Sequence, residues 1–147
     1  MKNVVLAVDP LDYEIRGLYR FASLKPSCTL AQEVGEAWPE NPRLLMIASD
    51  PADATFTENL ALDLASALSK ADLPVGEVRV LQEDTASVAV PLIAGADVIV
   101  LANDHDDTRP GFFADIDLAE ALKGAKDDAL LIALSEEALK AAGLEVS

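Results

Sequence analysis

A three-layer α/β/α sandwich around a mostly parallel sheet of about five strands is the fold class this sequence predicts, flavodoxin-like or class I glutamine amidotransferase-like in architecture. Three observations predict it. Short continuous apolar runs, Val4–Val8, Leu44–Ile47, Val98–Leu101 and Leu130–Leu134, suit strands covered on both faces. Segments with helical spacing separate them, so strands and helices alternate. The first two runs end in Asp9-Pro10 and Asp50-Pro51, turn dipeptides that stop a strand. At 147 residues, with no sharp change of composition, the whole chain 1–147 reads as one α/β domain.

The elements follow in order. Leu11, Ile15, Leu18, Tyr19 and Ala22 recur at helical spacing, so a helix is expected after the first strand. Residues 23–42 hold Pro26, Pro39 and Pro42 with Cys28 and Trp38; Thr29-Leu-Ala-Gln32 offers a capping box for a short helix there. Trp38 beside Pro39 reads as a pin for that loop, and Cys28, with no histidine near it in sequence, as an incidental thiol. After the Arg43–Ile47 strand, Thr55-Phe-Thr-Glu58 is a capping box for a helix with Phe56, Leu60, Leu64, Leu68 and Ala71 on one face. Val78 and Val80 alternate with Glu77 and Arg79, which places that strand toward an edge. A helix over about 85–94 is kinked by Pro91. The Val98–Leu101 strand is the organising one. Beyond it Asp117 should N-cap a helix to about Ala125, and Ser135-Glu136-Glu137 opens the last helix behind the Leu130–Leu134 strand.

Composition excludes some functions. The 26 acidic residues outnumber the 11 basic ones, for a net charge of −15. Such a surface disfavours nucleic acid and anionic membranes. No run reaches the ~18 apolar residues of a spanning helix, and the single cysteine allows no intrachain disulfide. A cytoplasmic protein is expected, and the Ala- and Leu-rich helices are compatible with a homodimer. No glycine-rich phosphate loop, CxxC pair or H-E-x-x-H occurs.

Ligands in open α/β sheets sit outside the carboxyl ends of the strands. There the chain carries Asp9, Asp50 and the polar run Asn103-Asp104-His105-Asp106-Asp107, with the only histidine. Asp9, Asp50 and Asp104 make a candidate acidic rim for Mg²⁺ or Ca²⁺, or a phospho-acceptor site, since clustered carboxylates are relieved by a cation. A receiver would also need a lysine at the last strand end, where this chain has Ser135. Turn-forming aspartates on a solvated loop explain the same residues more simply. Asn103 is a further candidate ligand contact. Ser135 is a candidate nucleophile with His105 as its base, although serine before a helix is first of all an N-cap.

The order of pieces resembles the peptidase E (aspartyl dipeptidase) and cyanophycinase family, of the class I glutamine amidotransferase-like fold. Met46-Ile-Ala-Ser-Asp50 looks like the family's second strand, which ends Pro-Thr-Ala-Ser. Ala96-Asp-Val-Ile-Val-Leu101 matches a later strand that precedes a glycine-rich turn. Leu131-Ile-Ala-Leu-Ser-Glu-Glu-Ala138 sits where the family has Gly-x-Ser-Ala-Gly, with Ser135 at the nucleophile position. The resemblance spans nearly the whole chain, mostly through hydrophobic strands, and implies a peptidase-like serine hydrolase acting on small or acidic peptides. The departures fall on the chemistry. Ala102-Asn103-Asp104 replaces the glycine turn, Glu136-Glu137 replaces Ala-Gly, and nothing after Ser147 matches the region that supplies the family's histidine. Carboxylates beside the serine oppose the charge that builds on an oxyanion, and an elbow wants small residues two positions away. The expectation is a peptidase E-like domain without catalysis, serving as a ligand-binding, interaction or regulatory module and carrying no cofactor. The alternatives are the hydrolase and the cation module.

Overall fold

The computed structural model describes residues 3–49, 54–102 and 111–146. Its strands are β1 (Asn3–Leu6), β2 (Leu11–Arg16), β3 (Tyr19–Leu24), β4 (Arg43–Ile47), β5 (Glu77–Leu81), β6 (Val98–Leu101) and β7 (Leu130–Ala133). Its α-helices are α1 (Leu30–Val34), α2 (Ala54–Lys70), α3 (Ala89–Gly95), α4 (Gly111–Asp115), α5 (Leu118–Ala121) and α6 (Glu136–Ala141). Five strands form one parallel sheet in the order β1-β7-β6-β4-β5, and β2 and β3 form a separate antiparallel hairpin.

The sheet is the middle of three layers, a flavodoxin-like layering. Side chains alternate across it, so Val98 and Val100 face one layer and Ile99 and Leu101 the other. The first layer holds α1 and α2 through Leu30, Val34, Leu64 and Leu68. The second holds α3 to α6 through Ile93, Phe113, Leu118 and Leu139. The organising strand β6 is the central one. All four of its residues are fully buried, worth about 1.5–3 kcal/mol for each large side chain taken from water. The alternating strand β5 is an edge, as its half-wet pattern predicts.

Several local expectations are corrected. Residues 11–24 are a hairpin, not a helix. Leu11, Tyr13 and Ile15 also repeat with period two, and Tyr13, Ile15, Tyr19 and Phe21 are strand-favouring types. Gly17 supplies a φ of 63° in the two-residue Gly17-Leu18 turn, the conformation a primed hairpin turn needs. The chain from 83 to 95 is two pieces: a 3₁₀ turn over Glu83–Val88, then α3. A continuous helix would need a bond from residue 91 to the Ser87 carbonyl. Pro91 has no N–H to give and its ring would meet that carbonyl, so it sits in the first turn of a new helix. α2 starts at Ala54, which puts Thr55 inside the helix rather than at its cap. At α5, Asp117 takes the cap position through its backbone, with φ 50° and ψ 61° and no side-chain capping bond.

The short helix expected after Thr29 is present as α1, but its capping box is not formed: the Thr29 hydroxyl donates to the Glu33 carboxylate at 3.3 Å and caps no amide. Other signals hold. Trp38 pins its loop by donating Nε1–H to the Pro74 carbonyl at 2.8 Å. α2 buries Leu64 and Leu68 and ends in a Schellman motif. There Leu73 N–H reaches the Leu68 carbonyl at 2.9 Å, with Asp72 left-handed at φ 65°. Among the described residues no helix is long and apolar enough to cross a membrane.

Candidate functional site

The strand order fixes where the topological switch point of the sheet lies. The helix after β4 lies on one face of the sheet and the helices after β6 lie on the other. β4 and β6 are paired neighbours whose following helices lie on opposite faces, which is the switch point where open α/β sheets bind ligands. At this point Ala48 and Ser49 beyond β4 and Ala102 beyond β6 are all buried. Ala102 N–H donates to the Ile47 carbonyl at 2.9 Å, extending the ladder by one step. Phe112 N–H donates to the Ser49 carbonyl at 3.2 Å and hooks the start of α4 onto the same edge.

One strand over, Gln82 follows β5 and is 6% exposed. Its Nε2 donates to Glu58 Oε1 at 3.0 Å, while its buried Oε1 has no hydrogen-bond partner among the described residues. A buried amide oxygen left unsatisfied costs about 1–3 kcal/mol. The sequence reading missed Gln82; the available signal was an amide directly after the apolar Val80-Leu81 pair at a strand's carboxyl end.

The anticipated site residues divide. Asp50, Asn103, Asp104, His105 and Asp106 lie outside the described residues. Asp9 follows β1, whose nearest sheet neighbour is β7; two strands separate it from β4, about 14 Å at ordinary strand spacing. Asp9 is left-handed at φ 48° and exposed, and its Oδ2 accepts from Lys25 Nζ at 2.7 Å. The two border a cleft of about 160 Å³ that also touches Cys28, Thr29 and Glu33, smaller than the ~300 Å³ at which drug-sized ligand sites begin. Among the described residues no three His, Cys, Asp or Glu side chains are arranged to hold a metal.

Ser135 follows β7, which pairs with β6, so the neighbouring-strand relation expected of a Ser135–His105 couple is present at the level of the sheet. The side chain itself is engaged. Ser135 Oγ accepts the Ala138 N–H at 3.1 Å and its backbone is extended, φ −152° and ψ 158°, as at an ordinary N-cap. A nucleophile elbow instead places its serine on a sharp, strained turn. Glu136 and Glu137 occupy the first turn of α6, where the helix dipole favours them.

The opposite end of the sheet carries a cavity of about 380 Å³ between Arg43, Glu77, Arg79, Pro91 and Leu92, away from the strand ends where this architecture binds ligands. Nearby, Asp97 pins the start of β6. Burial alone would raise its pKa, but the Arg43 N–H at 2.9 Å and the Lys126 ammonium at 2.7 Å outweigh that and hold it below the usual carboxylate value. Its role there is to clamp β4, β6 and the turn before β7 together. Comparisons with family models, curated proteins and solved structures return no match.

Proposed function

We propose that this chain is a non-catalytic, peptidase E-like domain that binds a ligand at the switch point between the carboxyl ends of β4 and β6. The carrying observation is the Ser135 hydroxyl, at the position of the family's nucleophile, accepting the Ala138 N–H at 3.1 Å from an unstrained backbone. A serine held this way contributes to the helix start, and the carboxylates of Glu136 and Glu137 beside it disfavour an oxyanion. Binding then falls to the switch point between β4 and β6. The test is hydrolysis of Asp-X dipeptides by the parent and by Ser135→Ala. Both should show the same background rate; turnover that only the parent supports would establish the hydrolase.

A second reading, a Mg²⁺ or Ca²⁺ module, is favoured by the pairing of β4 with β6, since the segments leaving these strands carry Asp50 and Asp104. In that reading Asp9 drops out, because its carboxylate is turned to Lys25 two strands away. A rise in melting temperature with Mg²⁺ or Ca²⁺ that Asp104→Ala removes and Asp9→Ala leaves would support it.

A further inference from the structure

The β2–β3 hairpin stands outside the main sheet, and an isolated two-stranded hairpin is marginal in water. α2 anchors it through β3 and one residue of β2. Asp63 Oδ2 accepts from Arg20 Nη2 at 2.9 Å and from the Tyr13 hydroxyl at 3.3 Å. Lys70 Nζ donates to the Ala22 carbonyl at 2.7 Å.

The two edges of the hairpin are not equivalent. The two-residue turn makes Arg16–Tyr19 a bonded pair, and bonded pairs alternate along an antiparallel ladder. Ile15 and Tyr13 on β2, and Ala22 on β3, therefore turn their backbone groups outward. Lys70 blocks the β3 edge at Ala22. On the β2 edge Tyr13 N–H is met only by its neighbour Asp12 Oδ1 at 3.2 Å. Every residue of β2 after Leu11 is exposed, Ile15 to 75% and the turn residue Leu18 fully. An open edge carrying exposed apolar side chains invites another strand.

Charge says which strand. Asp12, Glu14, Arg16 and Arg20 leave residues 11–24 neutral on a chain of net charge −15, so two copies meet there with little mutual repulsion. Glu14 and Arg16 stand on the same face of β2, paired at 3.0 Å. We propose that a second copy of this chain docks antiparallel on the β2 edge, with Ile15 opposite Ile15 at a two-fold axis, forming a four-stranded sheet. In that register Ile15 exchanges both backbone bonds with its counterpart. The flanking pairs, unbonded and therefore close, set Glu14 of each copy against Arg16 of the other. The contact is isologous and closes on itself.

Sedimentation velocity on the full chain up to about 0.5 mM tests it, a range suited to a seam of small area. The parent should show a concentration-dependent dimer. Ile15→Pro should abolish it while the circular dichroism spectrum is kept, because the N–H removed points away from the hairpin ladder. Glu14→Arg and Arg16→Glu should each be monomeric, and their equimolar mixture should recover the dimer. A parent that stays monomeric throughout, or a dimer that survives Ile15→Pro and the single charge reversals, overturns the proposal. So does a mixture that stays monomeric when the parent does not.

Discussion

Ala138 donates its backbone N–H to Ser135 Oγ at 3.1 Å, and this bond turns the position of an expected nucleophile into the first cap of α6. The helix is short, and Ala138 and Leu139 must be delivered against β7, so the cap matters for packing as well as for one amide.

Ser135→Ala should lower stability by about 1 kcal/mol, the ordinary cost of losing an N-cap oxygen. Ser135→Asp should retain most of it, since a carboxylate caps well and favours the positive end of the helix. Urea unfolding monitored by circular dichroism measures both.

Asp72→Gly should stabilise the chain by up to about 1 kcal/mol. Asp72 holds the left-handed position that closes α2, with φ 65°, and its carboxylate lies at the negative end of the helix. Glycine removes both penalties. Thermal unfolding of the variant beside the parent would register this as a higher midpoint.

Ile99→Ala should cost about 2–5 kcal/mol, because the side chain is fully buried at the centre of the middle strand and its neighbours are held by the sheet. A loss under 1 kcal/mol in the same urea experiment would mean that the two layers do not close on β6 as described.

Asp97→Asn should cost at most about 1 kcal/mol at neutral pH, after allowance for solvent screening of a carboxylate 28% exposed. The native pKa is depressed relative to the unfolded chain, about 3.9 for a free aspartate. The contribution is therefore complete above that value and disappears as pH falls through the lower native pKa. The difference between variant and parent should shrink across that acid window and be flat from pH 5 to 8.

The layers were legible because buried parallel strands advertise themselves as unbroken apolar runs, and β4, β6 and β7 each have one. The hairpin was not legible as such, because Leu11, Ile15, Leu18 and Ala22 satisfy a helical spacing while Leu11, Tyr13 and Ile15 within the same segment alternate as a strand does. Gly17 between strand-forming residues was the deciding signal. Ser135 was read correctly as a cap from its place before Glu136 and Glu137. Strand order was out of reach, since the sequence does not say that β7 inserts beside β1. That insertion separates Asp9 from the β4–β6 switch point. Gln82 was missed although its amide directly follows the apolar Val80-Leu81 pair, because its burial against α2 depends on tertiary packing.

The most direct test of a non-catalytic Ser135 is exposure of the native chain to a fluorophosphonate, which modifies activated serines, followed by intact-mass and peptide mass spectrometry. The cap geometry predicts an unchanged mass, in parent and Ser135→Ala alike. A single phosphonyl adduct mapped to Ser135, lost in Ser135→Ala and after unfolding, would show an activated nucleophile and contradict it.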